Sequence, residues 1–294
     1  MYDDVVLNEY GFYTLKNIPT KQECEAFYRD KYYQESMSTY ETVYTKEELK
    51  FFEAKLEQKL LLINEYSPSH KNRSFVDIGS GEGFALTFFK KKGFSVLGLD
   101  YSVFGLKNHN HDVLNDVMVG DIYNSVDNLV SDKKTFDVVN MDCVLEHVLD
   151  PLALLKNIYK LVATDGILFI TVPNDFSMLQ KYFFDNQIIT KPYWIESPDH
   201  ISYFNNDGLK NICDVAGFDC VDMLSAYMNE FFLLNSRTNY IEDKSVGRSC
   251  HFARVEQENI FQNISPVKTI ALYRALGEMG IGRVIMGVFK KKRN

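Results

Sequence analysis

The sequence predicts an α/β protein built on a mainly parallel sheet with helices on both faces. From residue 74 onward, short apolar segments typical of buried strands alternate with amphipathic helical segments. A glycine-rich turn, Gly79–Gly83, follows the first of these strands and opens a helix. Ligands of such sheets bind beyond the carboxyl ends of the strands, so functional residues are expected there.

The predicted elements follow in a regular order. Thr45 and Glu48 form a capping-box pattern that starts a helix with an apolar face reaching Ile63. The strands that we expect are 74–78, 95–99, 117–119, 136–141, 167–172, 218–224 and 230–234. The helices that we expect after the first are 84–91, 102–110, one that begins at Pro151, 206–216 and 267–279.

Composition is that of an ordinary globular protein and disfavours several classes. The 294 residues suffice for one large domain or two small ones, and the net charge of −8 disfavours a nucleic-acid partner. Five cysteines without a C-x-x-C pair predict neither a disulfide framework nor a zinc site. A cytoplasmic protein without membrane insertion is expected, because neither a signal-peptide pattern nor a long apolar run occurs. The basic run Lys290–Arg293 is interpreted as a solvated tail.

The chain is expected to have three parts. Residues 1–69 form an N-terminal helical and aromatic extension, residues 70–234 the ligand-binding domain, and residues 235–294 a C-terminal extension. Residues 174–204, called the aromatic insertion below, are interpreted as a lid that uses aromatic faces such as those of Tyr193, Trp194 and Tyr203. In the alternative interpretation they are core for the N-terminal extension.

The glycine-rich turn excludes two common nucleotide motifs. Residues 77–83 read Asp-Ile-Gly-Ser-Gly-Glu-Gly, whereas a dinucleotide fingerprint requires glycine at position 84, which is Phe84. No Gly-Lys-Ser/Thr follows, so a Walker loop is excluded. Asp100 ends the second strand and can accept hydrogen bonds from ribose hydroxyls. Asp121 follows the third strand and can accept from an adenine amine, with Ile122 against the ring; for each aspartate a loop cap is the alternative role.

These residues resemble the class I S-adenosylmethionine-dependent methyltransferases. The segments that carry the resemblance are Val76–Gly83, Gly98–Asp100, Gly120–Ile122 and Phe136–Val139. Val144–Pro151 and His200–Phe204 are similar to the branch that contains the ubiquinone-pathway O-methyltransferases and many bacterial sugar and natural-product methyltransferases. The resemblance covers roughly residues 70–234, and it implies a Rossmann-like seven-stranded sheet with the last strand antiparallel.

The resemblance also implies the cofactor and its site. The cofactor is S-adenosylmethionine, with S-adenosylhomocysteine as the product. The residues expected to bind it are Asp77, Gly79, Ser80, Gly81, Gly83, Asp100, Tyr101, Asp121, Ile122, Asn140 and Asp142.

Two histidines are candidates for a catalytic base. Methyl transfer to a hydroxyl requires removal of a proton, and histidine is the usual base. His147 follows the fourth strand beside Glu146, and His200 lies beside Asp199; a loop brace and a packing residue are the respective structural alternatives. Of the two, His200 is favoured as the base, because its segment should cover the acceptor pocket. Glu146, His147 and His200 could also hold a divalent metal, but Cys143 stands where metal-dependent relatives place a second glutamate, so no metal is expected.

The resemblance favours O-methylation of a small polar acceptor such as a sugar, a sugar nucleotide or a surface-glycan precursor. The alternatives are N-methylation, O-methylation of a quinone or secondary metabolite, and a non-catalytic module that only binds the cofactor. An NAD-dependent oxidoreductase is disfavoured by Phe84. The aromatic N-terminus and the helix at 267–279 are candidate homodimer surfaces, unless both merely pack on the core.

Overall fold

Ten strands and nine α-helices have defined bounds in the computed structural model, which describes residues 2–20, 22–24, 43–67, 73–226 and 228–293. The strands are β1 (Val5–Leu7), β2 (Tyr13–Leu15), β3 (Ser74–Ile78), β4 (Ser95–Asp100), β5 (Val117–Val119), β6 (Phe136–Asp142), β7 (Val162–Pro173), β8 (Ser202–Tyr203), β9 (Phe218–Ala226) and β10 (Val284–Lys291). The α-helices are α1 (Lys46–Tyr66), α2 (Phe84–Lys91), α3 (Phe104–His109), α4 (Ile122–Ser131), α5 (Pro151–Leu161), α6 (Met178–Asp185), α7 (Asn206–Val215), α8 (Gly247–Ile264) and α9 (Pro266–Met279). Part of the predicted aromatic N-terminal extension, residues 25–42, lies outside the described ranges.

Seven strands form the main sheet in the order β5-β4-β3-β6-β7-β10-β9. All neighbours are parallel except β10, which is antiparallel to both β7 and β9. This confirms the predicted Rossmann-like sheet with its last strand antiparallel. Strand order reverses between β3 and β6, so their carboxyl ends border the crevice in which such sheets bind ligands.

Helices cover both faces of this sheet, as predicted. Successive residues of β3 point to opposite faces, and Phe75 and Val76 accordingly belong to two separate apolar clusters. One cluster includes residues of α4, α5 and α7, whereas the other includes residues of α1, α2 and α9. The predicted capping box at Thr45 is present at the start of α1. Helices α4, α6 and α8 were not predicted.

The last strand lies elsewhere than the sequence predicts. The expected strand at 230–234 is part of a 3-10 helix, Met228–Leu234, because a short apolar run does not by its pattern distinguish a strand from a helical turn. The seventh strand is β10, whose Ile285 and Val288 are fully buried between β7 and β9. A boundary at residue 234 would separate this strand from its sheet. Lys290 and Lys291, expected in a solvated tail, end the strand.

The C-terminal helix α9 packs on this chain's own sheet. Its Ile270, Tyr273 and Leu276 are buried, and a Cβ at Gly277 would overlap the backbone oxygen of Met223 in β9. The apolar face proposed for a homodimer is therefore largely covered within the chain. Within the described ranges, no helix is both long enough and apolar enough to span a bilayer.

The aromatic insertion forms a core with the N-terminal residues. Strands β1, β2 and β8 make a small antiparallel sheet, in which Tyr203 of β8 is fully buried, and Trp194 is fully buried as well. The rings of Tyr2 and Phe176 contact the Trp194 ring, with centroids 6.0 and 5.7 Å away. Trp194 and Tyr203, which were expected to offer aromatic faces to a ligand, are fully buried in this structure, because they pack against residues of the N-terminus and of the insertion itself. The role of the insertion as a lid stays a prediction.

Candidate cofactor and catalytic site

The glycine-rich turn forms a tight backbone cradle between β3 and α2. Gly79, Gly81 and Gly83 have φ values of 76°, 52° and 77°, a region that favours glycine. The Gly79 N–H donates to the Leu99 carbonyl at 2.8 Å, which ties the turn to the end of β4. A Cβ at Gly79 would overlap Cγ2 of Val144. The cradle is thus kept open by the absence of side chains.

Asp100 braces this cradle from the end of β4. Its two carboxylate oxygens accept the N–H groups of Gly81 at 2.7 Å and Ser102 at 3.0 Å. Burial nevertheless raises the pKa of Asp100, since desolvation outweighs these hydrogen bonds. The structure therefore brings Asp100 to the glycine turn, as its predicted ribose-binding role requires; that role stays a prediction.

Asp121 caps α4 beside β5. Its Oδ1 accepts the Asn124 N–H at 2.9 Å, and its Oδ2 accepts the Tyr101 hydroxyl at 2.7 Å. The loop cap named as an alternative is therefore present. Each carboxylate oxygen can accept a further hydrogen bond, so the cap is compatible with the predicted contact to an adenine amine. Ile122, the residue expected against the ring, is buried in the first turn of α4.

A buried lysine contacts two of the residues predicted to bind the cofactor and was missed by the sequence analysis. Register places Asp77 of β3 beside Asn140 of β6, and Nδ2 of Asn140 donates to Asp77 at 2.7 Å. The Lys59 ammonium, from α1, donates to Asn140 Oδ1 at 2.6 Å and to the Asp142 oxygens at 2.7 and 2.5 Å. Lys59 is only 5% exposed. Its position on the apolar face of an amphipathic helix was the available signal, because a lysine is rarely buried unless paired.

A cavity of about 230 Å³ opens beside this network. Its lining residues come from α1, the glycine turn, the start of α2 and the end of β6: Phe51, Phe52, Lys55, Leu56, Lys59, Asp77, Gly79, Ser80, Glu82, Gly83, Phe84, Ala85 and Asp142. Burial raises the pKa of Asp77 to about 7, although the hydrogen bond from Asn140 opposes this rise. The cavity thus combines open backbone with charged side chains of both signs.

The two candidate histidines lie together beyond the end of β6. Their rings are 4.8 Å apart between centroids and nearly perpendicular. Nδ1 of His147 lies 2.8 Å from the backbone oxygen of Asp199, which can only accept, so Nδ1 carries the proton and Nε2 is the basic nitrogen. His147 Nε2 is 3.9 Å from Oε1 of Glu146. The His200 side chain, by its side, is largely buried. Sequence reasoning therefore placed both histidines at one site.

Comparison with known proteins identifies the family. A family model described as a methyltransferase domain matches residues 49–223, more than half of the chain. The chain belongs to this methyltransferase family. Its cofactor is S-adenosylmethionine, and the glycine cradle, which a single Cβ would obstruct, suits the close backbone approach that such a ligand needs.

Curated relatives are similar to this chain, and a solved structure shares its fold. The methyltransferase is 26% identical over 185 residues to ubiquinone biosynthesis O-methyltransferases from Actinobacillus pleuropneumoniae and Haemophilus ducreyi. The match covers 58% of this chain and 77% of each relative. The plantazolicin methyltransferase BamL has the same fold, with a TM-score of 0.50 at 12% identity over 94% of this chain and 92% of that one.

A second buried charged cluster ties the aromatic insertion of the methyltransferase to the sheet. Asp175 follows β7, and its Oδ1 accepts from Nη1 of Arg283, just before β10, at 2.6 Å. Glu230 Oε1 accepts from the Tyr193 hydroxyl at 2.5 Å and from Gln180 Nε2 at 2.9 Å. Burial raises the pKa of Asp175 to about 6. No sequence motif identifies these residues, because the two members of each pair lie on segments that are far apart in the sequence.

Two overlapping groups of side chains could hold a metal ion. Glu146, His147 and His200 offer ligand atoms within 4.8 Å of one another, and so do Glu196, Asp199 and His200. The sequence expectation of no metal rests on Cys143, which is exposed and has a φ of 53°. That expectation stays a prediction.

Glu146 is expected to make the stability of the methyltransferase depend on pH. Burial raises its pKa from 4.5 to about 7, so the folded state binds this proton more tightly than the unfolded state does. The stabilising contribution is complete below about pH 4.5 and is lost as pH rises through about 7. Glu146→Gln should reduce the difference in the free energy of unfolding between pH 5 and pH 8 by up to about 3 kcal/mol. Denaturant unfolding at the two pH values measures this difference.

The control for this prediction is Glu242→Gln, which neutralises an exposed carboxylate bonded to Thr190. It should retain the wild-type difference between pH 5 and pH 8. If Glu146→Gln shows the wild-type difference as well, Glu146 does not titrate in this range.

Proposed function

We propose that this methyltransferase transfers the methyl group to a hydroxyl of a small polar acceptor. The observation that carries the proposal is that Glu146 and His147 follow shortly after Asp142, which lines the cavity, and that the His200 ring lies 4.8 Å from the His147 ring. An oxygen nucleophile must lose its proton during transfer, and these residues are proton acceptors. When bound, S-adenosylmethionine supplies a methyl group activated by its sulfonium.

Among these residues, His147 suits the role of base. The bond from its Nδ1 to the Asp199 carbonyl leaves Nε2 to accept a proton, and the nearby Glu146 carboxylate would stabilise the imidazolium that forms. The His200 ring packs against this ring in an edge-type contact, with centroids 4.8 Å apart. We assign proton removal to His147 and positioning to His200, although its segment made His200 the preferred base at the level of sequence.

Two acceptor classes fit a base on the segment that follows the cavity-lining Asp142. A sugar, sugar nucleotide or surface-glycan precursor is favoured by the polar end of the aromatic insertion, where Glu196, Asp199 and His200 lie together. A hydroxylated ring is supported by the relatives, which are named ubiquinone biosynthesis O-methyltransferases. Both classes present a hydroxyl, so the proposed chemistry is shared.

The proposal is tested by release of S-adenosylhomocysteine from purified protein supplied with S-adenosylmethionine and panels of sugars, sugar nucleotides, catechols and amines. Turnover with hydroxyl acceptors only is the expected result. Turnover with amines that lack a hydroxyl would show N-methylation instead. Binding of the cofactor product without turnover on any panel or on a cell extract would favour the non-catalytic binding module.

His147→Gln should lower kcat about 100-fold to 1,000-fold on the acceptor found, because general base catalysis contributes that order of rate. The affinity for S-adenosylhomocysteine, measured by calorimetry, should change less than about twofold. His200→Gln should have a smaller effect on kcat. The base belongs to His200 if these two variants show the opposite order.

A further inference from the structure

We propose that Arg283 binds an anionic group of the methyl acceptor, a phosphoryl group or a carboxylate, while the hydroxyl to be methylated lies at His147 and His200. This assignment rests on the proposed function and deepens it, because it narrows the acceptor to molecules that carry both groups. Arg283 belongs to the part of the chain that the sequence analysis treated as a C-terminal extension.

Arg283 lies at the edge of the sheet where the cavity-lining strand ends. Strand β10 is antiparallel to β7, so its start lies beside the end of β7, and the Arg283 carbonyl accepts the Asn174 N–H at 2.8 Å. On the other side of β7, the Thr171 carbonyl accepts the N–H of Cys143 at 2.8 Å. Cys143 directly follows Asp142, which lines the cavity. Strand β7 alone therefore separates β10, which begins directly after Arg283, from the strand that lines the cavity.

The guanidinium of Arg283 is braced on one side and keeps hydrogen-bond donors on the other. A guanidinium has five N–H donors, and within the described residues the one hydrogen bond of this group is that from Nη1 to Asp175. The Arg283 side chain is only 15% exposed, so water screens its charge incompletely. The fixed fork of N–H groups matches the two oxygens of a carboxylate or a phosphoryl group. The brace from Asp175 thus orients the unused donors without occupying them.

The carboxylate of Glu196 indicates which ligand charge the unused side of this guanidinium accommodates. Oε1 of Glu196 lies 4.0 Å from Nη2 of Arg283, which is too far for a hydrogen bond. The Glu196 side chain is 50% exposed, so it can turn into solvent when another anion takes its place. A ligand anion would gain the short charge-assisted bonds that Glu196 does not make.

Glu196 also connects Arg283 with the proposed catalytic histidines. Glu196, Asp199 and His200 have side-chain atoms within 4.8 Å of one another. The His200 ring in turn lies 4.8 Å from the His147 ring. An acceptor that carries its hydroxyl and its anionic group on opposite sides of one ring would reach both His147 and Arg283. Charged sugars and carboxylated hydroxy rings both meet this requirement.

A purely structural ion pair with Asp175 is the competing explanation, and matched pairs of acceptors distinguish it from ligand binding. The pairs are glucose 6-phosphate with glucose, glucuronate with glucose, and 3,4-dihydroxybenzoate with catechol. Calorimetry measures their binding to protein loaded with S-adenosylhomocysteine, and kcat/KM is measured wherever a pair is methylated. The wild type should favour the anionic member of at least one pair about 10-fold to 100-fold, as expected for one charge-assisted contact. The phosphoryl and carboxylate pairs identify which anion is bound.

In Arg283→Gln this preference should fall below about threefold, with binding of the neutral member unchanged within about twofold. Arg283→Lys should restore only part of it, because lysine lacks the fork. Since Arg283→Gln leaves Asp175 buried without its cation, the double variant with Asp175→Asn serves if the single variant does not fold. Glu196→Gln should raise the preference about twofold to fivefold, because it removes a competing anion. Arg274→Gln, which breaks another arginine–aspartate ion pair, is the matched control and should behave as wild type.

The outcomes separate this proposal from that of O-methylation. Equal binding of both members of every pair by the wild type overturns the role of Arg283, and so does an absence of binding by every anionic member. An equal loss of both members in Arg283→Gln, which a structural ion pair predicts, overturns it as well. Turnover of neutral acceptors alone would contradict the anionic acceptor and leave O-methylation in place. Arg283-dependent binding of anionic members without any turnover would support the anion site and contradict the proposed transfer.

Discussion

Asp100→Ala is expected to weaken binding of S-adenosylhomocysteine by about 100-fold or more. The Asp100 carboxylate is predicted to accept two ribose hydroxyls, and each hydrogen bond to a charged group contributes about 1.5–3 kcal/mol. The substitution also removes the acceptor for the Gly81 N–H, so the glycine turn loses its brace. Both effects lower affinity, and calorimetric titration measures their sum.

Asp132→Ala is the control for this experiment. Asp132 is an exposed aspartate at the end of α4, and its loss should leave affinity unchanged. Unchanged affinity in Asp100→Ala would contradict the placement of the cofactor ribose at β4. If Asp100→Ala and Asp132→Ala lose the same thermal stability, the measured affinity still decides, because the titration is performed on folded protein.

Gly79→Ala is expected to abolish measurable binding of S-adenosylhomocysteine and to lower the free energy of unfolding by about 2–4 kcal/mol. A side chain at φ 76° costs about 1–2 kcal/mol in the left-handed region. The added methyl group would overlap Val144, and such overpacking typically costs about 1–3 kcal/mol. The turn must shift to relieve this overlap, which moves the backbone N–H groups of the cradle.

Gly93→Ala separates the two causes. Gly93 has a φ of 86°, but an added Cβ would have no neighbour within 4 Å. In this variant the free energy of unfolding should fall only by the cost of the left-handed backbone, about 1–2 kcal/mol. Its affinity for S-adenosylhomocysteine should equal that of the wild type. Equal losses in both variants would show that the contact with Val144 does not matter. Denaturant unfolding and calorimetry provide the two measurements.

Local patterns predicted the elements that form the ligand-binding edge. The glycine spacing at Gly79–Gly83 requires only neighbours in sequence, since each positive φ is a local backbone state. The same holds for the predicted helix start at Pro151, where the carboxylate of the preceding Asp150 accepts the Ala153 N–H. Strands β3, β5 and β6 and helix α2 were likewise predicted nearly to their ends, because buried strands and amphipathic helices have distinct periods.

Apolar runs that are not bounded by a cap or a glycine turn were assigned incorrectly. Residues 230–234 and 284–291 both contain short apolar runs, and only the second pairs with strands. The difference lies in available partners: β10 finds β7 on one side and β9 on the other. Trp194 was misplaced for a related reason, since burial against Tyr2 depends on residues far away in sequence.

The sequence by itself determined the family, its cofactor and the sheet edge that carries the predicted site, because those signals depend on residues close together in the chain. Only the tertiary structure decided that Lys59 lies on Asp142, 83 residues away, and that His147 faces the Asp199 carbonyl, 52 residues away. Such contacts are made when separate elements pack, and no local pattern encodes which buried charge will meet which partner.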